Sequence, residues 1–441
     1  MNTRELGLTM CTALVVGNTI GMGIFMQPAA LAPYGLNALT GWTAVIVGCA
    51  CLALVFATLA RRLPQADGPF GYVRATLGEP VAFPAMWCYW ISCWVTNAAL
   101  AVAVVGYFIS VFPAARAVPS SVLTVTFMWL FVGINLLGVK SGGRVQVITS
   151  LLKLVPLVLV MVVGGAAILA EPAAYTSNLP TTPVGLQPSM AAATIALYAM
   201  LGFESATVAA GRARDPERTI PRATLYGTLF VSIIYVAIVA ISMLLVPQAT
   251  LAASDAPFVT ILDSLLGAGY GRWLALFVVV SGLGCLNGWT LLVGELTRTL
   301  AMNKLLPELL GRSNRFGAPW AALLLTGALA TFVGLMNYSA SLVAGFTFLS
   351  VVVTAANLPL YLCSALALFA LWRRDRSALP SMIWLAGAGG LAFTAFAFVG
   401  VGQEPFLWAL ALALAGVPVY FWMRWRHPAP AAAPARIVTA E

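Results

Sequence analysis

Three charged side chains sit where the surrounding chain is apolar: Lys153 in Leu-Leu-Lys-Leu-Val-Pro, Glu204 in Gly-Phe-Glu-Ser, and Glu295 in Gly-Glu-Leu-Thr. A charge at the centre of a membrane helix costs about 2.5–3.5 kcal/mol on insertion scales, so each needs a reason. Two glycine-interrupted segments occupy the same kind of surroundings. One is Gly17-Asn18-Thr19-Ile20-Gly21-Met22-Gly23, the other Tyr198-Ala199-Met200-Leu201-Gly202-Phe203-Glu204. A helix broken at such a place leaves free N–H groups on one side and free carbonyls on the other. The N–H ends attract a carboxylate and the carbonyl ends an ammonium, so a pair of breaks suits a zwitterion such as an α-amino acid. For either segment alone, glycines that only allow close helix packing are the alternative.

The elements that hold these residues follow from composition. The chain of 441 residues is 61% hydrophobic and 8% charged, with a mean hydropathy of +0.95. An ordinary soluble domain carries about 25% charged residues. Apolar runs bounded by charge, proline or glycine fall near 8–33, 37–60, 81–112, 120–139, 145–170, 189–211, 222–246, 273–301, 319–336, 342–371, 380–400 and 405–425. Each is long enough to span a bilayer with some tilt. The reading is an all-α polytopic membrane protein with 12 transmembrane helices. The two interrupted segments are five spans apart. That matches a 5+5 inverted repeat (about 8–170 and 189–371) with broken helices 1 and 6, plus two extra helices over 380–425. Residues 1–425 then form a single transmembrane domain, with 426–441 as a Pro/Ala-rich, disordered cytoplasmic tail.

Every lysine and arginine except Arg116, Arg272 and Lys153 falls on one face of this arrangement. The positive-inside rule puts that face, and both termini, in the cytoplasm of an inner-membrane protein. The net charge of +9 is thus mostly topology and not a nucleic-acid surface. The single histidine, His427, excludes a histidine triad or a zinc site of HExxH type. The seven cysteines show no paired spacing for a disulfide framework. No nucleotide-binding loop or cofactor motif is present, and an intramembrane enzyme lacks its paired aspartates.

The segment Gly17–Phe25 (GNTIGMGIF) resembles the unwound first span of the amino acid–polyamine–organocation superfamily. GFESATVAAGRARDPERTIPRA from Gly202 is similar to its sixth span and following loop. YWISCWVTNAA from Tyr89 and LNGWTLLVG from Leu286 resemble its third and eighth spans. The likeness runs from about Leu6 to Arg426 and points toward the bacterial arginine/agmatine and putrescine/ornithine antiporters. It implies that Thr19, Ile20, Gly21, Met22 and Gly23, beside Asn18, cradle the substrate backbone. Carbonyls near Tyr198, Ala199 and Leu201 would receive the ammonium, with Tyr198 also a gating aromatic. Trp289 would stack on a cationic side chain, and Tyr89, Ser92, Cys93 and Asn97 would wall its far end. Asn97 and Trp289 also read as ordinary helix packing. The sequence departs from the arginine-specific pattern at Met22 (for serine), Tyr198 (for tryptophan) and Val352 (for a substrate-facing serine).

The resemblance places Lys153 where sodium sits in sodium-coupled relatives, its ammonium reaching carbonyls of the unwound first span. It is then either a titrating coupling group or a fixed tether. Glu204 reads as a proton carrier or as a protonated carboxyl bonded to backbone, and Glu295 as pairing with a nearby basic residue. The expected function is a secondary active amino-acid transporter working by alternating access, proton-coupled or exchange-driven. Met22, Val352 and Lys153 tilt it toward a broad amino-acid permease; the alternative is a cationic amino acid/polyamine antiporter. The expected partners are the amino acid and the bilayer. A channel would differ by conducting without saturation, and a homodimer stays open.

Overall fold

The computed structural model describes residues 7–63, 66, 68–138, 152–203, 215–336, 341–374 and 381–427. Among them every regular element is helical. The chain opens with α1 (Leu8–Thr19) and α2 (Gly23–Leu31), followed by α3 (Leu36–Arg62), the short α4 (Gly68–Leu77) and the long α5 (Glu79–Val111). Then come α6 (Ser120–Leu136), α7 (Leu152–Ala170, with a π-helical turn at Val160–Gly164) and α8 (Leu186–Met200). The helix α9 (Pro216–Leu245) leads through two short surface helices, α10 (Gln248–Ala252) and α11 (Pro257–Leu266), into α12 (Gly271–Met302). The rest is α13 (Trp320–Met336), α14 (Leu342–Arg374), α15 (Ser381–Gly400), α16 (Gln403–Leu414) and α17 (Gly416–Arg426).

Among the described residues eight helices, counting α16–α17 as one, are long and apolar enough to cross a membrane. The bent pair α1–α2 makes a ninth, while α6 and α13 are apolar but have 17 residues each. The chain is therefore an integral membrane protein. Span limits expected from the apolar runs lie close to the helix ends where those limits are among the described residues, because the runs end where charge begins; the expected limits at 139, 145, 211 and 380 lie outside them. Arg61 and Arg62 close α3, and Arg424 and Arg426 close α17, where a cation also meets the negative end of the helix dipole. The amphipathic α4 falls in a stretch read as a loop. Between α9 and α12 the connection holds α10 and α11.

Two packing groups emerge. The buried α5 lies against α12, α13 and α14, with α6 alongside. In the other group α1 packs on α9, and α3 packs on α8, α9 and α15. At one end, Glu79 at the start of α5 pairs with Arg74 of α4 and Arg424 of α17. Trp87 Nε1 donates to the Leu412 carbonyl at 3.0 Å, so α16 and α17 are fastened to α5.

Candidate functional site

The first break forms where Ile20 leaves the helix for extended backbone (φ −71°, ψ 93°), and α2 restarts at Gly23 with the axis bent by 50°. Thr19 turns its hydroxyl back onto the Val15 carbonyl at 2.8 Å. Its own carbonyl, exposed by the break, accepts from Tyr235 Oη of α9 at 3.1 Å. The first N–H groups of α2, that of Gly23 included, have no partner within the helix.

The end of α8 faces this break; residues 204–214, which follow it, lie outside those described. After Met200 the backbone turns extended at Leu201 (φ −58°, ψ 134°) and reaches φ +105° at Gly202, a conformation that side-chain-bearing residues rarely adopt. A Cβ on Gly202 would stand 3.0 Å from the Asn18 carbonyl oxygen. One on Gly23 would stand 3.1 Å from Ala199 Cα and 3.3 Å from Tyr198 Cδ1. Backbone thus approaches backbone at both places, and a methyl group has no room. Of the last carbonyls of α8, that of Tyr198 accepts from Leu201 N at 3.2 Å and that of Met200 from Phe203 N at 3.3 Å, while Ala199 packs against Gly23 at the start of α2.

Between the breaks lies a narrow cavity of about 30 Å³, lined by Asn18, Thr19, Gly21, Met22, Gly23, Thr96, Leu100, Tyr198, Ala199, Leu201 and Trp289. That is room for one or two waters, whereas pockets for small molecules run to about 300–1,000 Å³, so the cavity is contracted in this conformation. Among the described residues none that lines it is charged. Tyr198, buried and stacked edge-on against Phe346 of α14 at 5.5 Å, has a hydroxyl with no hydrogen-bond partner among the described residues. It is a spare donor at the cavity wall. Met22 fills space against α12: a Cβ on Gly282 would meet its sulfur at 2.7 Å.

Nine of the residues singled out from sequence thus line one cavity. Ile20 is buried at the break without lining it. Of the third-span group, Ser92 Oγ accepts from Asn357 Nδ2 at 3.0 Å, Asn97 Oδ1 accepts from Thr290 Oγ1 at 3.5 Å, and Cys93 is fully buried; none of these, nor the half-buried Tyr89, lines it. Val352 is buried in α14, away from the lining. Lys153 is 2% exposed near the start of α7, and among the described residues no carboxylate pairs with it. Glu295 lies 3.5 Å from Arg298 on α12, half exposed. Glu204 lies outside the described residues.

Sequence reasoning missed Thr96 and Leu100, which follow Ser92 and Thr96 by four residues each on α5. That i, i+4 spacing was the available signal. It also missed Gln27, wholly buried on α2, whose Nε2 donates to the Ile195 carbonyl of α8 at 2.8 Å. Tyr107 of α5 was missed too. Its hydroxyl donates to the Phe25 carbonyl at 2.7 Å and accepts from Phe258 N at 3.2 Å.

Comparison with known proteins points the same way. Residues 6–418 match the amino acid permease family. A cadaverine/lysine antiporter of Escherichia coli is 32% identical over 341 residues, 76% of each chain. A putrescine transporter of Haemophilus influenzae is 27% identical over 434 residues, covering 96% of this chain and 98% of its own. An arginine/ornithine antiporter of Pseudomonas aeruginosa is 30% identical over 338 residues, 74% of this chain and 69% of its own. These relatives are transporters and not enzymes. With this match over nearly its whole length, the chain belongs to the amino acid permease family.

Proposed function

We propose that the protein exchanges amino acids, or an amino acid against an amine, across a bacterial inner membrane by alternating access. The observation that carries this reading is the meeting of the two helix breaks at Asn18–Gly23 and Tyr198–Gly202 around one cavity. Helix N-terminal N–H groups there would take the α-carboxylate and the carbonyl ends of α8 the α-ammonium. Trp289 on the wall suits a cationic side chain. Lysine, arginine and ornithine, or the diamines derived from such residues, are the leading cargo, since relatives across the chain are antiporters of these compounds. In this mechanism the group of α1, α2, α3, α8 and α9 rocks against α5, α6, α12 and α13. The two halves are inverted repeats within a single transport unit over 1–425, with both termini cytoplasmic.

A second reading, neutral amino-acid exchange, is favoured by the uncharged lining, by Met22 and by the buried Lys153. Counterflow in proteoliposomes separates the two. Vesicles preloaded with unlabelled substrate are offered labelled lysine, arginine, ornithine, putrescine, cadaverine, leucine or alanine. Saturable, preload-dependent uptake of the cationic set is expected. Flux confined to leucine and alanine would select the second reading, and flux that neither saturates nor needs preloading would overturn exchange altogether.

A further inference from the structure

A second and much larger cavity, about 760 Å³, opens at the C-terminal end of α5. Its polar lining includes Ser110, Arg116, Ser121, Asp255, Thr260 and Ser341. The central cavity reaches Leu100 on the same helix, and this one begins at Gly106. At 1.5 Å per residue they are about 9 Å apart along α5. What separates them is compact: Phe25 and Phe258 meet edge-on at 5.0 Å, and the Tyr107 hydroxyl bonds the backbone of both. The large cavity is therefore an antechamber, closed from the central site by one aromatic plug.

Among the described residues its ionisable lining residues are one of each sign. Arg116 is exposed on the turn after α5, and Asp255 is half-buried on the turn before α11. Neither makes an ion pair among the described residues. Asp255 is held in place: Oδ1 accepts from Val343 N at the start of α14 at 2.9 Å, and its carbonyl packs so close to Gly106 that a Cβ there would overlap it. One amide hydrogen bond leaves most of a carboxylate's acceptor capacity unused. Burial holds this carboxyl above its ordinary range, partly offset by the Val343 N–H. A cation arriving in the cavity would relieve that cost.

We propose that this antechamber is a capture subsite for cationic amino acids, in which Asp255 takes an ammonium and Arg116 the α-carboxylate. The volume falls within the range of small-molecule pockets, and the hydroxyls around it supply neutral partners. A diamine has no carboxylate, so it gains only Asp255 and meets Arg116 as a like charge. The subsite thus retains the amino acid and lets its decarboxylated counterpart go. This rests on the exchange reading and adds a selectivity that the uncharged central cavity does not supply.

The test is exchange kinetics in proteoliposomes of defined orientation, with labelled lysine or cadaverine offered on the face bearing the C-terminal end of α5. Arg116→Gln should raise KM for lysine about fivefold, the scale of one charge contact, and lower it for cadaverine, with kcat unchanged; Arg116→Lys should restore the wild-type ratio. Asp255→Asn keeps the acceptor for Val343 N–H and should raise KM for both compounds. If Arg116→Gln keeps the wild-type ratio of the two KM values and Asp255→Asn keeps both KM values at wild type, each exchanging normally, the subsite is overturned. If the wild type exchanges neither compound but exchanges neutral amino acids, it is the cationic cargo that fails, and the subsite with it. A melting temperature matching wild type for each variant guards against misfolding as the cause.

Discussion

The two helix breaks make a graded prediction at three glycines. At Gly202, alanine faces two penalties. A positive φ costs a side-chain-bearing residue about 1–2 kcal/mol even in the left-handed well, and φ +105° lies beyond that well. The new Cβ would also stand 3.0 Å from the Asn18 carbonyl oxygen, a backbone atom that cannot swing aside. Together these amount to about 2–4 kcal/mol. At Gly23 the backbone is unstrained, and the methyl meets Ala199 and Tyr198 at 3.1–3.3 Å, an overpacking of about 1–3 kcal/mol. At Gly21 the nearest atom is the Thr19 carbonyl oxygen at 4.0 Å, so alanine should cost no more than about 0.5 kcal/mol. The assay is thermal denaturation of the purified protein in one detergent, run beside lysine counterflow. The melting temperature should fall in the order Gly202→Ala, Gly23→Ala, Gly21→Ala, the last close to wild type. Gly21→Ala nonetheless projects its methyl into the cavity and should weaken transport. Equal destabilisation by all three would refute the packing of the two breaks on each other, because only that packing separates them.

Trp289→Leu keeps an apolar wall but removes the cation–π face, worth about 2 kcal/mol when desolvated. KM should rise about 30-fold for lysine or arginine and little for alanine, and equal losses would reduce Trp289 to packing. Lys153→Met removes a buried charge that no described carboxylate pairs with, so the melting temperature should hold or rise while exchange is lost; a large fall in melting temperature would show that the ammonium is held by an ion pair. Tyr107→Phe leaves the Phe25 carbonyl and the Phe258 N–H without their shared hydroxyl, a loss of about 1–3 kcal/mol. In a cysteine-free background, a cysteine at Leu100 should then react about tenfold faster with an impermeant thiol reagent on the antechamber side, and an unchanged rate would mean that the plug closes nothing.

The helices were legible in the sequence because apolar runs and their charged ends are local. α4 was not: its ten residues are too few and too mixed to stand out between Arg62 and Glu79. The breaks were legible for a different reason. Gly21, Gly23 and Gly202 are exceptions inside otherwise unbroken apolar stretches, and the backbone geometry each one permits is intrinsic to glycine. What holds the breaks in place was hidden. Tyr235, Gln27 and Tyr107 each bond a backbone carbonyl, at separations of 216, 168 and 82 residues. A carbonyl has no residue identity, so no motif marks such a pair. Ser92 and Asn97, which the resemblance gave as part of a ligand wall, bond Asn357 and Thr290 of other helices, the packing role also read for Asn97.

Those three long-range bonds are not equivalent, and the difference bears on how the protein moves. Tyr235 to Thr19 and Gln27 to Ile195 join helices that pack on one another, and in the proposed rocking motion α1, α2, α8 and α9 would stay together. They can persist throughout and keep both broken helices moving as one piece. Tyr107 instead reaches from α5 across to α2 and to the start of α11. Rocking must break that contact together with the Phe25–Phe258 edge contact. An aromatic pair and two buried hydrogen bonds amount to about 2–4 kcal/mol. Reversing a 1:99 equilibrium takes about 5.5 kcal/mol of differential affinity. A plug of this size is therefore within reach of substrate binding, whereas separating the long interfaces of α5 with α12 and α14 is not. The structure thus concentrates its reversible contacts at one place, between the antechamber and the helix breaks.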